Sequence, residues 1–196
     1  MTCIKYIRLF KNKLNQIMRS NICTVLKLFN LDQVKKINEK IDNSLIISGD
    51  NPSEKAIKTS QVKFVRMLSI QNLIMPFIDF CYTANSEHYG FDLFSLTSTK
   101  ILNYNTYEVD EEYSWHIDAD MKSPIRDVKL TCLLNLSENK YEGGDLFLFR
   151  DKEVKVNNFD PGCAVVFPSF TNHKVSKITN GKRATLAIWM WGPKFR

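Results

Sequence analysis

Residues 173–191 read His173-Lys174-Val175-Ser176-Lys177-Ile178-Thr179-Asn180-Gly181-Lys182-Arg183-Ala184-Thr185-Leu186-Ala187-Ile188-Trp189-Met190-Trp191, and the way they turn at Asn180-Gly181 decides the fold. A two-residue Asn-Gly turn favours a tight hairpin. That hairpin would pair Ile178 with Arg183 and leave His173 roughly 17 Å away along the strand, with opposite side-chain parity. Strands in two facing sheets would instead bring their inner side chains across about 10 Å. Only the second arrangement lets a histidine and an arginine share one pocket. Asn180-Gly181 is therefore read as a jelly-roll corner.

The rest of the C-terminal half fits that reading. Short β-rich runs cover Phe91–Thr97, Ile101–Val109, Tyr113–Asp118, Val128–Leu136, Leu146–Phe149, Val154–Phe159, Ala164–Phe167, Lys174–Ile178 and Ala184–Trp191. Gly143-Gly144, Pro161-Gly162 and Asn180-Gly181 punctuate them. Many strands with few helices between them predict a mainly β fold with N-terminal helices, built on a double-stranded β-helix (jelly-roll) core. Asn30 can cap a helix whose face carries Leu31, Val34, Ile37 and Ile41. A loop is expected at 48–53. Another helix is expected from about Leu68 to Ala84, kinked or split by Pro76.

The division expected is a basic amphipathic segment over 1–30 and one domain over 31–196, with helical support at 31–90 and the jelly roll at 91–196. The chain has 196 residues and a net charge of +6, but the charge is unevenly placed. Lys5, Arg8, Lys11, Lys13, Arg19 and Lys27 precede the first acid, Asp32, and the remainder carries 21 basic and 21 acidic residues. A nucleic-acid groove across the domain body is not implied. Residues 1–30 show a helical period in Ile4, Ile7, Leu14, Ile17 and Met18. They read as a packing helix, as sequence ahead of a start at Met18, or as a targeting or membrane-surface helix. No run of eighteen apolar residues occurs, so no transmembrane signature is present. Five cysteines without a close pair predict free thiols in a reducing, cytoplasmic setting.

The chemistry concentrates at two of the three histidines. In Trp115-His116-Ile117-Asp118, an imidazole and a carboxylate two positions apart share one face of a strand. His173 lies 57 residues later, at the start of another β run. Two histidines and one carboxylate on one side of a metal form the facial triad of non-haem Fe(II) oxygenases, which leaves open positions on the ion. A His-x-Asp pair alone is weak, and a hydrogen-bonded surface histidine has the same signature. Arg183 enters an apolar strand, which is costly unless the guanidinium meets an anion such as a carboxylate. Thr185 shares its face and can add a hydroxyl. Trp115, Trp189 and Trp191 are read as core or pocket wall. His88 has no partner pattern.

Taken together, residues 104–193 resemble the prolyl 4-hydroxylase-type family of Fe(II)/2-oxoglutarate-dependent dioxygenases. The elements are Tyr107 through Tyr113 to His116-x-Asp118, Leu133-Leu134-Asn135-Leu136, Tyr141-Glu142-Gly143-Gly144-Asp145-Leu146, Pro161-Gly162, Val166-Phe167-Pro168-Ser169, His173-x-Val175 and Gly181-Lys182-Arg183. The resemblance implies that His116, Asp118 and His173 hold Fe(2+), that Arg183 binds the distal carboxylate of 2-oxoglutarate, and that Tyr107 lies near this co-substrate. Leu133 stands where one family variant has a tyrosine that helps hold the carboxylate; Thr185 is the candidate substitute. Tyr113 is read as packing or as a substrate-side wall. The implied chemistry consumes O2 and 2-oxoglutarate, releases succinate and CO2, and hydroxylates a C–H bond, with ascorbate (vitamin C) as an accessory reductant. Asp118 argues against halogenation, which needs the carboxylate position vacated. The substrate stays open between a peptidyl proline, another protein side chain and a small molecule, and the oligomeric state is equally open. The rival reading is a non-catalytic jelly-roll module that binds a metal or ligand. The polar segment 119–127 is expected to belong to a substrate lid.

Overall fold

A computed structural model describes residues 18–19, 22–48, 58–96, 101–119 and 123–195. In chain order the elements are β1 (Met18–Arg19), β2 (Thr24–Lys27), α1 (Leu31–Asp42), β3 (Leu45–Ser48), β4 (Gln61–Arg66), α2 (Met67–Ala84), a π-helical turn (Asn85–Tyr89), β5 (Ile101–Tyr107), β6 (Tyr113–His116), β7 (Arg126–Asn135), β8 (Glu142–Gly143), β9 (Leu146–Phe149), β10 (Glu153–Lys155), β11 (Cys163–Pro168), β12 (His173–Val175), β13 (Ile178–Asn180) and β14 (Arg183–Pro193). A major sheet runs β1-β2-β11-β7-β14-β5-β4-β3 and a minor one β10-β9-β12-β6, while β13 pairs with β8 alone. The described pairings are antiparallel. This is the jelly-roll core, with both helices packed on the major sheet.

The corner at Asn180-Gly181 forms as the spacing requires. β13 and β14 lie in different sheets, and Gly181 takes a left-handed φ of 78° that a side chain would resist. β14 then divides its residues between two faces. Ala184, Leu186, Ile188 and Met190 pack in one buried cluster with Val34, Ile37 and Ile41 of α1 and with Ile70, Ile74 and Phe77 of α2. Each fully buried Leu, Ile or Phe contributes about 1.5–3 kcal/mol of transfer free energy. Arg183, Thr185, Ala187 and Trp189 have the opposite parity and face the minor sheet. A second cluster fills the space between the sheets, with Tyr107, Leu146, Leu148, Val165, Phe167, Val175 and Ile178.

α1 begins with a reciprocal cap. Asn30 Oδ1 accepts from Gln33 N at 2.9 Å, and Gln33 Oε1 accepts from Asn30 N at 3.0 Å. Val34, Ile37 and Ile41 are buried, while Leu31 in the first turn is half exposed.

Several expectations need correction. Pro76 lies inside α2 without splitting it. Ile74 on one side and Phe77, Ile78, Phe80 and Cys81 on the other are buried, so packing holds both halves in one helix. Phe91–Thr97 is not a strand over its described residues. Asn85 clasps Phe91 through both its N–H and its carbonyl, and Phe94 N bonds Trp191 O at 2.7 Å. The basic segment is strand, not helix, at Thr24–Lys27, where the β-branched Thr24 and Val25 pair with Val166 and Val165. Residues 1–17 and most of the 48–53 loop lie outside the described residues. The Val154–Phe159 run contracts to β10, and the Lys174–Ile178 run divides into β12 and β13. β3 and β4, both unexpected, extend the major sheet beyond β5. Cys81, Cys132 and Cys163 are buried free thiols, and Cys23 is buried as well. Among the described residues, no helix is long and apolar enough to cross a membrane.

Candidate metal and co-substrate site

His116 closes β6 and His173 opens β12, and the two are direct register partners in the minor sheet. Their ring centroids are 4.0 Å apart. Asp118 lies just past β6, where its N–H donates to Ser169 O at 3.0 Å. Its Oδ2 stands 3.5 Å from His173 Nε2, and its Oδ1 stands 3.8 Å from His116 Nε2. One ligand atom from each of the three residues lies within 4.8 Å of the others.

Backbone carbonyls set the imidazole tautomers. His116 Nδ1 donates to Ser114 O at 2.7 Å, and His173 Nδ1 donates to Thr171 O at 2.9 Å. With the protons held there, both Nε2 lone pairs face Asp118, the orientation a metal-binding imidazole needs. Tyr113 stacks on His116 at 3.5 Å and 13°, and Phe167 meets His173 edge-on at 4.9 Å. Burial first, and then the neighbouring His173, hold His116 down to about 4 against the pull of Asp118. His116 is therefore a neutral donor at physiological pH. Two converging imidazole lone pairs and a carboxylate repel one another until a cation lies between them. The donor set fits a divalent ion of the Fe(II) kind.

Arg183 opens β14 and is 1% exposed. Its register partner is Tyr107 on β5. The guanidinium carbon lies 5.1 Å from the Tyr107 ring centroid and 5.9 Å from that of Phe159. Nε and Nη2 are buried without a hydrogen-bond partner. Unmet guanidinium donors in such a place are costly, and a carboxylate fits them. Gly144, at φ 60°, leaves the space open: a Cβ there would press on the Ile178 side chain and stand 3.0 Å from Arg183 Cδ. Thr185 is buried on the same face, between Asn105 and Asn135. Burial pushes the Tyr107 phenol up, partly offset by Arg183.

His116, Asp118 and His173 thus converge, and Arg183, Tyr107 and Thr185 line the inner face of the opposing sheet. Trp115, Trp189 and Trp191 are half buried. His88 takes no part in this cluster; its nearest carboxylate is that of Glu87, at 3.8 Å. Residues 120–122 of the expected lid lie outside the described residues. Two side chains of the site escaped the sequence reading. Thr131 Oγ1 donates to Asp118 Oδ2 at 2.7 Å; a lone hydroxyl inside the apolar Val128–Leu136 run was its only signal. Lys58 Nζ donates to Asn105 Oδ1 at 2.9 Å and stands 4.8 Å over the Tyr113 ring. A lysine outside any periodic pattern gives no such signal.

Comparison with known proteins agrees with this geometry. The model of the 2OG-Fe(II) oxygenase superfamily matches residues 101–191. A PKHD-type hydroxylase of Shewanella frigidimarina is 38% identical over an alignment of 97 positions that covers 44% of this chain and 41% of the relative. A PKHD-type hydroxylase of Synechococcus sp. is 35% identical over 82 residues, 41% of this chain and 36% of the relative. The chain thus matches about two fifths of the length of these curated relatives. A prolyl-4-hydroxylase crystal structure from Pseudomonas putida superposes with a TM-score of 0.65 at 18% identity, covering 92% of this chain and 96% of the other. A prolyl hydroxylase from Trichoplax adhaerens, in complex with a hypoxia inducible factor peptide fragment, gives 0.67 at 17% identity over 93% and 89%.

Proposed function

We propose that this chain, whose residues 101–191 match the model of the 2OG-Fe(II) oxygenase superfamily, is an Fe(II)- and 2-oxoglutarate-dependent hydroxylase. One observation carries the reading: a His116–Asp118–His173 cluster faces a sheet in which a buried arginine holds unmet donors. When bound, iron with 2-oxoglutarate and O2 supplies the oxidising power, giving succinate and CO2 and placing oxygen into a C–H bond.

The chain's own residues bind and orient. His116 and His173 present Nε2, while the Ser114 and Thr171 carbonyls keep the Nδ1 protons in place. Thr131 holds Asp118 Oδ2, which turns the carboxylate toward the imidazoles. Arg183 receives the distal carboxylate of 2-oxoglutarate, with Tyr107 beneath the guanidinium. Phe159, Phe167 and Val165 are buried between the sheets and exclude water from this space. Ile117, Ile125 and Phe170 are exposed apolar residues near the ligands in sequence and offer a rim for substrate.

A peptidyl proline, the residue class in the names of the two similar solved structures, is the first substrate class to test, followed by other protein side chains and small molecules. Ascorbate belongs to the same proposal, as the reductant that keeps iron ferrous. The buried free thiols support a reducing, cytoplasmic setting. The test is anaerobic addition of Fe(II) and 2-oxoglutarate, followed by a peptide screen that reads succinate. A visible charge-transfer band that vanishes in His116→Ala is expected. A chain that forms no band and no succinate overturns the proposal.

A further inference from the structure

We infer that Tyr141 is a second co-substrate-binding residue, whose hydroxyl donates to the carboxylate held by Arg183. The inference rests on the function proposed above. A carboxylate offers about four lone-pair sites, and one guanidinium fork fills two of them. Leu133, on the inner face of β7 next to the Asn135 position, offers only carbon.

The Tyr141 ring is brought to this place by two glycines. A Cβ on Gly181 would stand 3.2 Å from both Cα and Cβ of Tyr141, so only glycine lets the Arg183 strand close over this residue. A Cβ on Gly144 would stand 3.3 Å from Tyr141 Cε2 and 3.0 Å from Arg183 Cδ. The tyrosine ring and the arginine stem therefore border the same point. Tyr141 also packs against the cluster that contains Tyr107, Phe159 and Ile178.

Asn135 then determines what the hydroxyl can do. It is fully buried and is the register partner of Thr185, on the face that carries Arg183. Its Nδ2 donates to Phe159 O at 2.7 Å and to Tyr141 Oη at 3.0 Å, while its Oδ1 accepts from Ser137 N at 3.0 Å. The amide cannot be flipped, because a carbonyl oxygen would then face Phe159 O. Asn135 has used its donors and cannot bind the ligand itself. Tyr141 is an acceptor in this bond, so its own proton remains to be donated. An anion at Arg183 is the group that such a proton would meet.

The test is calorimetric titration of 2-oxoglutarate into the full chain loaded with redox-inert Mn(II). Tyr141→Phe is expected to weaken 2-oxoglutarate about tenfold or more, the loss of one bond to a charged group, with Mn(II) affinity unchanged. Pyruvate, which lacks the distal carboxylate, is expected to bind wild type and Tyr141→Phe alike. A Tyr141→Phe chain that binds 2-oxoglutarate as wild type does, while Arg183→Ala loses it, overturns the inference and leaves the hydroxylase reading standing. Wild type that takes up Mn(II) but no 2-oxoglutarate overturns both.

Discussion

Thr131 Oγ1, in the middle of the major sheet, donates a 2.7 Å hydrogen bond to Asp118 Oδ2, in the segment that leaves the minor sheet. The two sheets thus meet at a ligand, and the carboxylate is aimed by a strand that contributes no ligand itself. Thr131→Val keeps the volume and removes the donor. It is expected to lower Mn(II) or Fe(II) affinity by about 10–100-fold, as loss of such a supporting bond does. Metal titration of the folded variant reads this directly, and equal affinities would remove Thr131 from the site.

Arg183 separates stability from function. Its Nε and Nη2 are buried without a hydrogen-bond partner from the protein, so an apolar replacement of similar length relieves a desolvated charge. Arg183→Met is expected to raise the melting temperature without ligand and to abolish 2-oxoglutarate binding. Thermal unfolding with and without 2-oxoglutarate distinguishes the cases. A lower melting temperature with binding retained would mean that this arginine serves packing alone.

Gly144 guards the space beside that arginine. Gly144→Ala places a Cβ at φ 60° against Ile178 and the Arg183 stem. A cost of about 1–2 kcal/mol is expected from the left-handed backbone alone, together with weakened 2-oxoglutarate binding and unchanged metal uptake. Denaturant unfolding and ligand titration measure the two effects separately.

The metal-free chain should lose stability in mild acid. His116 titrates near 4 when folded, below its ordinary value of 6.5. The unfolded chain therefore binds the proton first. The contribution from His116 is complete above about pH 6.5 and is lost as pH falls toward 4. Melting curves between those values should fall more steeply for wild type than for His116→Phe; parallel curves would contradict the depressed value.

The parts legible from sequence were those in which a local rule and the tertiary fold agree. Asn30 caps α1 as expected, with Gln33 returning the bond, and the alternation on β14 separates core from site. The jelly-roll corner followed from asking whether His173 and Arg183 could share a pocket. Tertiary packing overruled local signals elsewhere. Pro76 sits in a continuous α2 because its neighbours are buried on both sides. Thr24–Lys27 is drawn into pairing with β11 despite its basic surroundings. Phe91–Thr97 looks like a strand by composition, but the Asn85 side chain ties it to the end of a helix. Lys58 and Thr131 reach the site through contacts with residues distant in the chain, so their neighbours in sequence give no hint of it.

The two-faced β14 limits the kind of change its lineage can accumulate. Replacing a residue alters one face at a time, so either the pocket or the packing can be retuned alone. Gaining or losing a single residue between Ala184 and Trp189 would exchange the faces for the part of the strand beyond it, carrying site-face residues such as Trp189 among the helices and turning aliphatic ones such as Ile188 toward the metal ligands. Only beyond the irregularity at Met190/Trp191, where the ladder with β7 already slips, does the strand have room for drift in length.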